Sequence, residues 1–189
     1  MVKKLLFLSV LFFVSCDYVS DNSTNNNFAR TLPEDEVIEK VMNEFIPDPQ
    51  NQHQLDRNII INYVIDHKLD MQSTQSGIYY QTLQKGKGEP PAPQDEIIAN
   101  YHGTFLDGTV FDTTKDKDTF KFPFNRLNDG WKEILPILGS GGKGIFIIPS
   151  KLCYGKKGFG DKIPPNTILK FEIDLLGIKR NEEIKDIEE

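Results

Sequence analysis

Seven large rings, Tyr101, Phe111, Phe120, Phe122, Trp131, Tyr154 and Phe171, are spread along one stretch of the chain, each near a Gly, Asp or Pro turn signal. Short segments of this kind can fold back so that their rings line one concave, water-poor cavity. Asp112 and the Tyr154 hydroxyl are the polar groups placed to orient a ligand there. Other chemistries lack the residues they need. The run Gly139-Ser140-Gly141-Gly142-Lys143-Gly144 is not a phosphate loop, because Ile137 stands where the upstream glycine is required and Gly144 follows the lysine in place of Ser or Thr. Asp112, Asp116 and Asp118 lack the central glycine and closing glutamate of a calcium loop. His53, His67 and His102 are too dispersed for a metal triad, and no serine occupies a nucleophile elbow. No metal, nucleotide or organic cofactor is expected.

The elements that must position these rings occupy only part of the 189 residues. Lys3-Lys4 leads into an apolar run over 5–14, too short to span a bilayer and right for a signal peptide covering 1–15. The run ends in Phe13-Val14-Ser15-Cys16, which resembles a bacterial lipobox with Phe13 in place of the usual Leu. That resemblance implies lipidation of Cys16 and a membrane anchor facing the periplasm, since several acyl chains at about 0.8 kcal/mol per buried methylene hold where one would be marginal. Of the two cysteines, Cys153 then has no disulfide partner and packs as a small hydrophobe. Net charge is −6 overall, yet residues 77–180 carry fifteen basic and twelve acidic side chains. This mild excess, scattered and borne on no helix, falls short of a nucleic-acid footprint.

Residues 16–32, rich in Asn, Ser and Asp, read as a lipidated cysteine and a flexible tether spanning about 20 Å. Residues 33–76 form a helical lead-in. Pro33 opens its first helix, Glu34, Asp35 and Glu36 complement the dipole, and Val37, Val41 and Phe45 repeat at helical spacing up to Pro47. Leu55, Ile59 and Tyr63 mark a second helix ending near Lys68. Beyond Gly77 the pattern becomes that of strands over 78–83, 97–105, 119–124, 145–148 and 167–176. Only 131–138 reads as a helix in this part, and Pro136 in its interior predicts that it is cut to two turns. Residues 181–189 form an acidic tail. The sum is an α+β domain of five or six antiparallel strands wrapped around one short helix.

The segments Asn100-Tyr101-His102-Gly103, Leu106-Asp107-Gly108-Thr109-Val110-Phe111-Asp112, Asp129-Gly130-Trp131, Cys153-Tyr154-Gly155 and Lys162-Ile163-Pro164-Pro165-Asn166-Thr167 closely resemble FKBP-type peptidyl-prolyl isomerases. The resemblance covers 77–180. With its helical lead-in, the chain is similar to the bacterial macrophage-infectivity-potentiator type, although its helices are shorter than those through which such proteins dimerise. A monomer is expected, with dimerisation as the other reading.

The resemblance implies a half-barrel fold, proline-containing polypeptide clients among exported proteins, and binding of macrocyclic inhibitors. It makes Trp131 the floor under the prolyl ring, and Tyr101, Phe111, Phe120 and Phe171 the walls. Leu127 and Ile163 add apolar contact, Tyr154 donates to a substrate carbonyl, and Asp112 sets a carboxylate near the twisting amide. Rotation about an X-Pro bond crosses about 18–20 kcal/mol, and a dry aromatic cavity favours the less polar twisted amide over the planar one. Asn128 replaces a usual Ile whose backbone amide contacts ligand, Lys117 replaces an Arg, and Phe159 adds apolar surface at the cavity mouth. Two further readings stay open: a proline-segment binding module without turnover, and an envelope chaperone.

Overall fold

A computed structural model describes residues 29–115 and 117–181. The expected signal segment, Cys16, most of the tether, Asp116 and the acidic tail beyond Asn181 lie outside the described residues. The helices are α1 (Glu34–Val41), continued by a 3-10 turn over Met42–Glu44, then α2 (Gln52–Asp66) and α3 (Asp129–Leu138). The strands are β1 (Gln72–Ser73), β2 (Tyr79–Gln84), β3 (Glu96–Thr104), β4 (Val110–Thr113), β5 (Phe120–Pro123), β6 (Lys143–Ile148) and β7 (Leu169–Lys179). Within the described residues they form one antiparallel sheet in the order β1-β2-β6-β7-β3-β4. Strand β5 shares the same edge of β3 as β4, pairing with its first half while β4 pairs with its second.

Side chains alternate across a strand, and this sheet has an apolar layer on each side. One layer joins Ile97, Ala99, Phe146, Ile148, Phe171, Ile173 and Leu175 to the α3 residues Trp131, Ile134, Leu135 and Leu138. The other joins Tyr79, Ile145 and Ile147 to Val37 and Val41 of α1 and to Ile60, Ile61 and Val64 of α2. The lead-in therefore packs on the back of the sheet. Register keeps the α3 side apolar along the whole of β7: pairing shifts by one residue between Ile98 and Ala99, leaving Leu176 as the exposed extra residue and setting Ile178 opposite Ile97.

Helix α3 runs past Pro136 to Leu138 and does not stop after two turns. Asn128 caps it, its side-chain oxygen accepting from the Trp131 amide at 2.9 Å. Leu135 and Leu138 are fully buried at its far end. Burying those two side chains, about 1.5–3 kcal/mol each, offsets the hydrogen bond that proline removes. Gly130 belongs to the same packing, since a Cβ there would come within 2.6 Å of Ile148 Cγ2.

The expected tether does not extend to residue 32. Thr31 bridges Leu69, the Leu32 amide donates to the Lys68 carbonyl at 2.9 Å, and the Gln81 side chain accepts from the Arg30 amide at 2.5 Å. Backbone groups so paired are held against residues 68–69 and the Gln81 side chain. Two short strands, β1 and β4, are absent from the sequence reading. The first is two residues long and the second follows a tight turn, so neither shows a periodic pattern.

A buried carboxylate ties the start of β3 to the end of β7. Asp95 is 1% exposed, and its oxygens accept from the Ala92 amide at 2.7 Å, Arg180 Nη1 at 2.6 Å and the Asn181 amide at 3.3 Å. Burial alone would raise its pKa, but these donors and the guanidinium charge together hold it below the usual carboxylate value. A depressed folded-state pKa adds stability above the unfolded value, about 3.9, and that stability is lost as pH falls through the folded pKa. Asp95→Asn is expected to lower unfolding stability at pH 7 by about 1–3 kcal/mol. Urea titrations of both proteins should show the gap closing as pH drops below about 4.

Candidate functional site

Six elements meet at one corner of the α3 side of the sheet. Tyr101 comes from β3, Phe111 and Asp112 from β4, Phe120 from β5, Trp131 from the first turn of α3 and Phe171 from β7. Tyr154 and Ile163 come from the long connection between β6 and β7. The rings meet edge to face around Trp131. Its centroid lies 5.4 Å from Tyr101 at 89°, 5.4 Å from Phe171 at 87° and 5.8 Å from Phe120 at 63°. Phe111 meets Phe171 at 5.5 Å and 89°. Positive ring edges against negative ring faces favour these angles.

The packing depends on a missing side chain. Gly103 pairs with Asp112 of β4 and Phe171 of β7, and a Cβ there would fall 2.6 Å from Phe111 Cζ. Glycine lets the Phe111 ring lie across β3. Trp131 and Phe171 are each 4% exposed, whereas Tyr101, Phe111, Phe120 and Tyr154 are half-buried. The half-buried rings thus offer a ligand far more surface than the indole does.

Two polar groups flank these rings. The Tyr101 hydroxyl donates to Asp112 Oδ2 at 2.6 Å, and the Thr113 amide donates to Oδ1 at 3.0 Å. Lys117 Nζ lies 3.8 Å from Oδ1 on an exposed side chain, where an ion pair contributes little. Asp112 is thereby oriented chiefly by Tyr101. Burial, the hydrogen bond to Asp112 and the nearby negative charges push the Tyr101 phenol well above its ordinary pKa. Burial, with Cys153 and Asp112 nearby, also raises that of Tyr154. Both phenols remain protonated donors throughout the neutral range.

The loop carrying Tyr154 is stitched to itself. The Asn166 amide donates to the Gly155 carbonyl at 2.8 Å, and the Phe159 amide to the Ile163 carbonyl at 2.8 Å. Phe159, 54% exposed, leans on Tyr154 with centroids 4.9 Å apart. Leu127 and Ile163 are buried in the same apolar layer as Trp131. The Asn128 side chain is engaged as the α3 cap. Two features escaped the sequence reading: the Tyr101–Asp112 hydrogen bond, and Phe105, which packs on Phe111 at 5.4 Å. The Leu106-Asp107-Gly108 turn signals a return of the chain, and folding 105 back toward 111 across it would have found the second.

A cavity of about 620 Å³ lies elsewhere. Asn100, His102, Glu172 and Asp174 line it, the side chains that alternate with Tyr101, Phe171 and Ile173, so it opens on the opposite face of the sheet.

Residues 87–176 match the family model described as FKBP-type peptidyl-prolyl cis-trans isomerase. FkpA of Aeromonas hydrophila, named as an FKBP-type peptidyl-prolyl cis-trans isomerase, is 40% identical over 114 residues, 60% of this chain and 42% of that protein. The FKBP-type 22 kDa peptidyl-prolyl cis-trans isomerase of Escherichia coli is 38% identical over 112 residues, 59% of this chain and 54% of that one. The chain thus spans about half the length of these curated relatives. Among solved structures, a peptidyl-prolyl cis-trans isomerase from Pseudomonas syringae superposes with a TM-score of 0.59 at 27% identity, covering 71% of this chain and 99% of its own.

Cys153 adjoins Tyr154 and is the free cysteine among the described residues. Burial pushes its thiol up to about 12, so almost no thiolate exists at neutral pH. Iodoacetamide at pH 8 is expected to leave Cys153 unmodified in the native protein and to alkylate it in urea, as peptide mass mapping will read.

Proposed function

Since residues 87–176 place this chain in the FKBP-type peptidyl-prolyl cis-trans isomerase family, we propose that the whole protein catalyses rotation about X-Pro bonds in exported polypeptides. The observation that carries this reading is the edge-to-face cluster of Tyr101, Phe111, Phe120, Trp131 and Phe171 with a carboxylate and a phenol beside it. A prolyl ring seats over the Trp131 indole between the walls of Tyr101, Phe120 and Phe171. Leu127 and Ile163 extend that apolar contact.

Water leaves as the peptide enters, and the planar amide loses more solvation than the twisted one. The Tyr154 hydroxyl donates to a substrate carbonyl, while Asp112, held by Tyr101, sets negative charge beside the amide as its resonance is broken. No proton is transferred and no covalent bond forms. A 10⁴-fold acceleration needs about 5.5 kcal/mol, and one hydrogen bond supplies about 0.5–1.5 kcal/mol, so most of the effect comes from the apolar walls.

Lipidation of Cys16 after removal of 1–15 would hold the protein at a bacterial envelope membrane, facing the periplasm. The Phe13-Val14-Ser15-Cys16 pattern supports this placement. Packing of α1 and α2 on the sheet favours a monomer, because it covers their buried stripes within one chain. Macrocyclic inhibitors of the family would compete for the same cleft. The alternative, a prolyl-segment binding module without turnover, is favoured by Asn128, whose side chain caps α3 where the usual Ile would add apolar surface.

A proline-peptide isomerisation assay separates the two. Turnover above the solvent rate supports the enzyme, whereas peptide binding at the solvent rate leaves only the module. Trp131→Ala and Phe171→Ala should each lower kcat/KM more than Tyr154→Phe, by roughly tenfold or greater against severalfold. For the anchor, fatty-acid labelling of the full chain in cells should disappear in Cys16→Ala, and labelling that persists refutes the assignment.

A further inference from the structure

One carboxylate of the lead-in reaches through the sheet's back layer to the connection that bears Tyr154. Asp56, on α2, is fully buried, as is Ser150, the first residue of the 3-10 turn Ser150–Leu152. Asp56 Oδ2 accepts from the Ser150 amide at 2.8 Å and from the Ser150 hydroxyl at 2.6 Å, a link between residues 94 apart in sequence. Its other oxygen accepts from Gln52 Nε2 at 2.7 Å. Three donors therefore converge on one buried carboxylate, and bonds to a charged acceptor are roughly twice as strong as neutral ones.

The turn so held leads directly into the site. The Cys153 amide donates to the Ser150 carbonyl at 3.0 Å, and Tyr154 follows. The Leu152 carbonyl lies 3.3 Å from where a Gly130 Cβ would stand, against the first turn of α3 and one residue from Trp131. Leu152 and Cys153 pack on the Trp131 layer. A shift of Ser150 would move Tyr154 relative to the rings.

We propose that Asp56 is a positioning residue for Tyr154, acting through Ser150, so that the helical lead-in is part of the machinery that sets the phenol's place at the cleft. This rests on the isomerase reading of the site. Neither residue touches the cleft. Asp56 acts by denying the turn its alternative positions: a misplacement of about 1 Å at a catalytic group is enough to lower rates strongly. A lead-in that merely tethered the domain would need no buried carboxylate aimed at this turn.

The test uses the full chain and two measurements. Ser150→Ala removes one donor while keeping the backbone bond to Asp56, and Asp56→Asn removes the charge. The first measurement needs no substrate: amide hydrogen exchange at Cys153 should quicken about tenfold or more in both variants, and an unchanged rate overturns the proposal. The second is a double-mutant cycle on kcat/KM with a proline peptide. Ser150→Ala should lose about three- to fivefold in the wild-type background, no more than Tyr154→Phe itself costs, and less than about 1.5-fold in Tyr154→Phe, because the group it positions is already gone. Equal losses in both backgrounds mean a general structural effect and overturn the assignment while leaving the isomerase intact. Lys40→Ala, which breaks an ion pair to Asp70 elsewhere on the lead-in, should change kcat/KM by less than about twofold. If the wild-type protein shows no turnover, the isomerase reading fails by itself, and the exchange measurement alone decides whether Asp56 holds the turn.

Discussion

A strand apolar on both faces cannot rest against water on either, and β6 is that strand. Its residues from Gly144 to Ile148 are all buried, with Phe146 and Ile148 turned to the α3 layer and Ile145 and Ile147 to the lead-in. Leaving either pair uncovered would forgo roughly 1.5–3 kcal/mol per side chain. Both α3 and the α1–α2 pair are thereby required, and the sheet becomes the middle of three layers. Helices as short as α1 and α2 are marginal alone, and the back of β6 gives their apolar stripes a surface to cover.

The cleft follows from where this sandwich ends. Strand β3 pairs with β7 on one side and with both β4 and β5 on the other, so four strands deliver rings to one corner of the α3 layer. The first turn of α3 sets Trp131 among them. Close packing of edges on faces makes the walls mutually supporting, which leaves each ring little freedom to move alone. Polar groups are kept to the side of this corner. Asp112 has a phenol and a backbone amide for partners, and a lysine only at the margin of ion-pair range, so its charge faces the place where a ligand would lie without being neutralised at close quarters.

Both layers converge on the connection after β6. Its first residue, Pro149, leaves the buried strand, and Ser150 is fastened from behind by Asp56 while Leu152 and Cys153 press on the Trp131 layer from the front. The loop then closes on itself between Gly155 and Asn166. A long irregular segment is held here by a few specific bonds where regular pairing is absent, which is how a loop comes to carry a group at a fixed place.

The α+β class, both lead-in helices and the main strands were legible in the sequence because each rests on local pattern: period two for β3 and β7, helical spacing for α2, an unbroken apolar run for β6. The extent of α3 was not, since Pro136 argues locally for a stop and only the burial of Leu138 in the finished core overrides it. Nor was the order of residues 29–32, which follow directly on an Asn-, Ser- and Asp-rich run that reads as tether, while their partners are Lys68, Leu69, Asp70 and the Gln81 side chain, far along the chain. Sequence by itself determined which side chains were available: the rings, the carboxylate, the phenol, and the glycine at 103 that leaves room for Phe111. Tertiary structure alone decided that Tyr101 would orient Asp112, and that a carboxylate on the lead-in would grip Ser150. Both contacts depend on distances between segments that share no local pattern, and such distances exist only once the layers have closed.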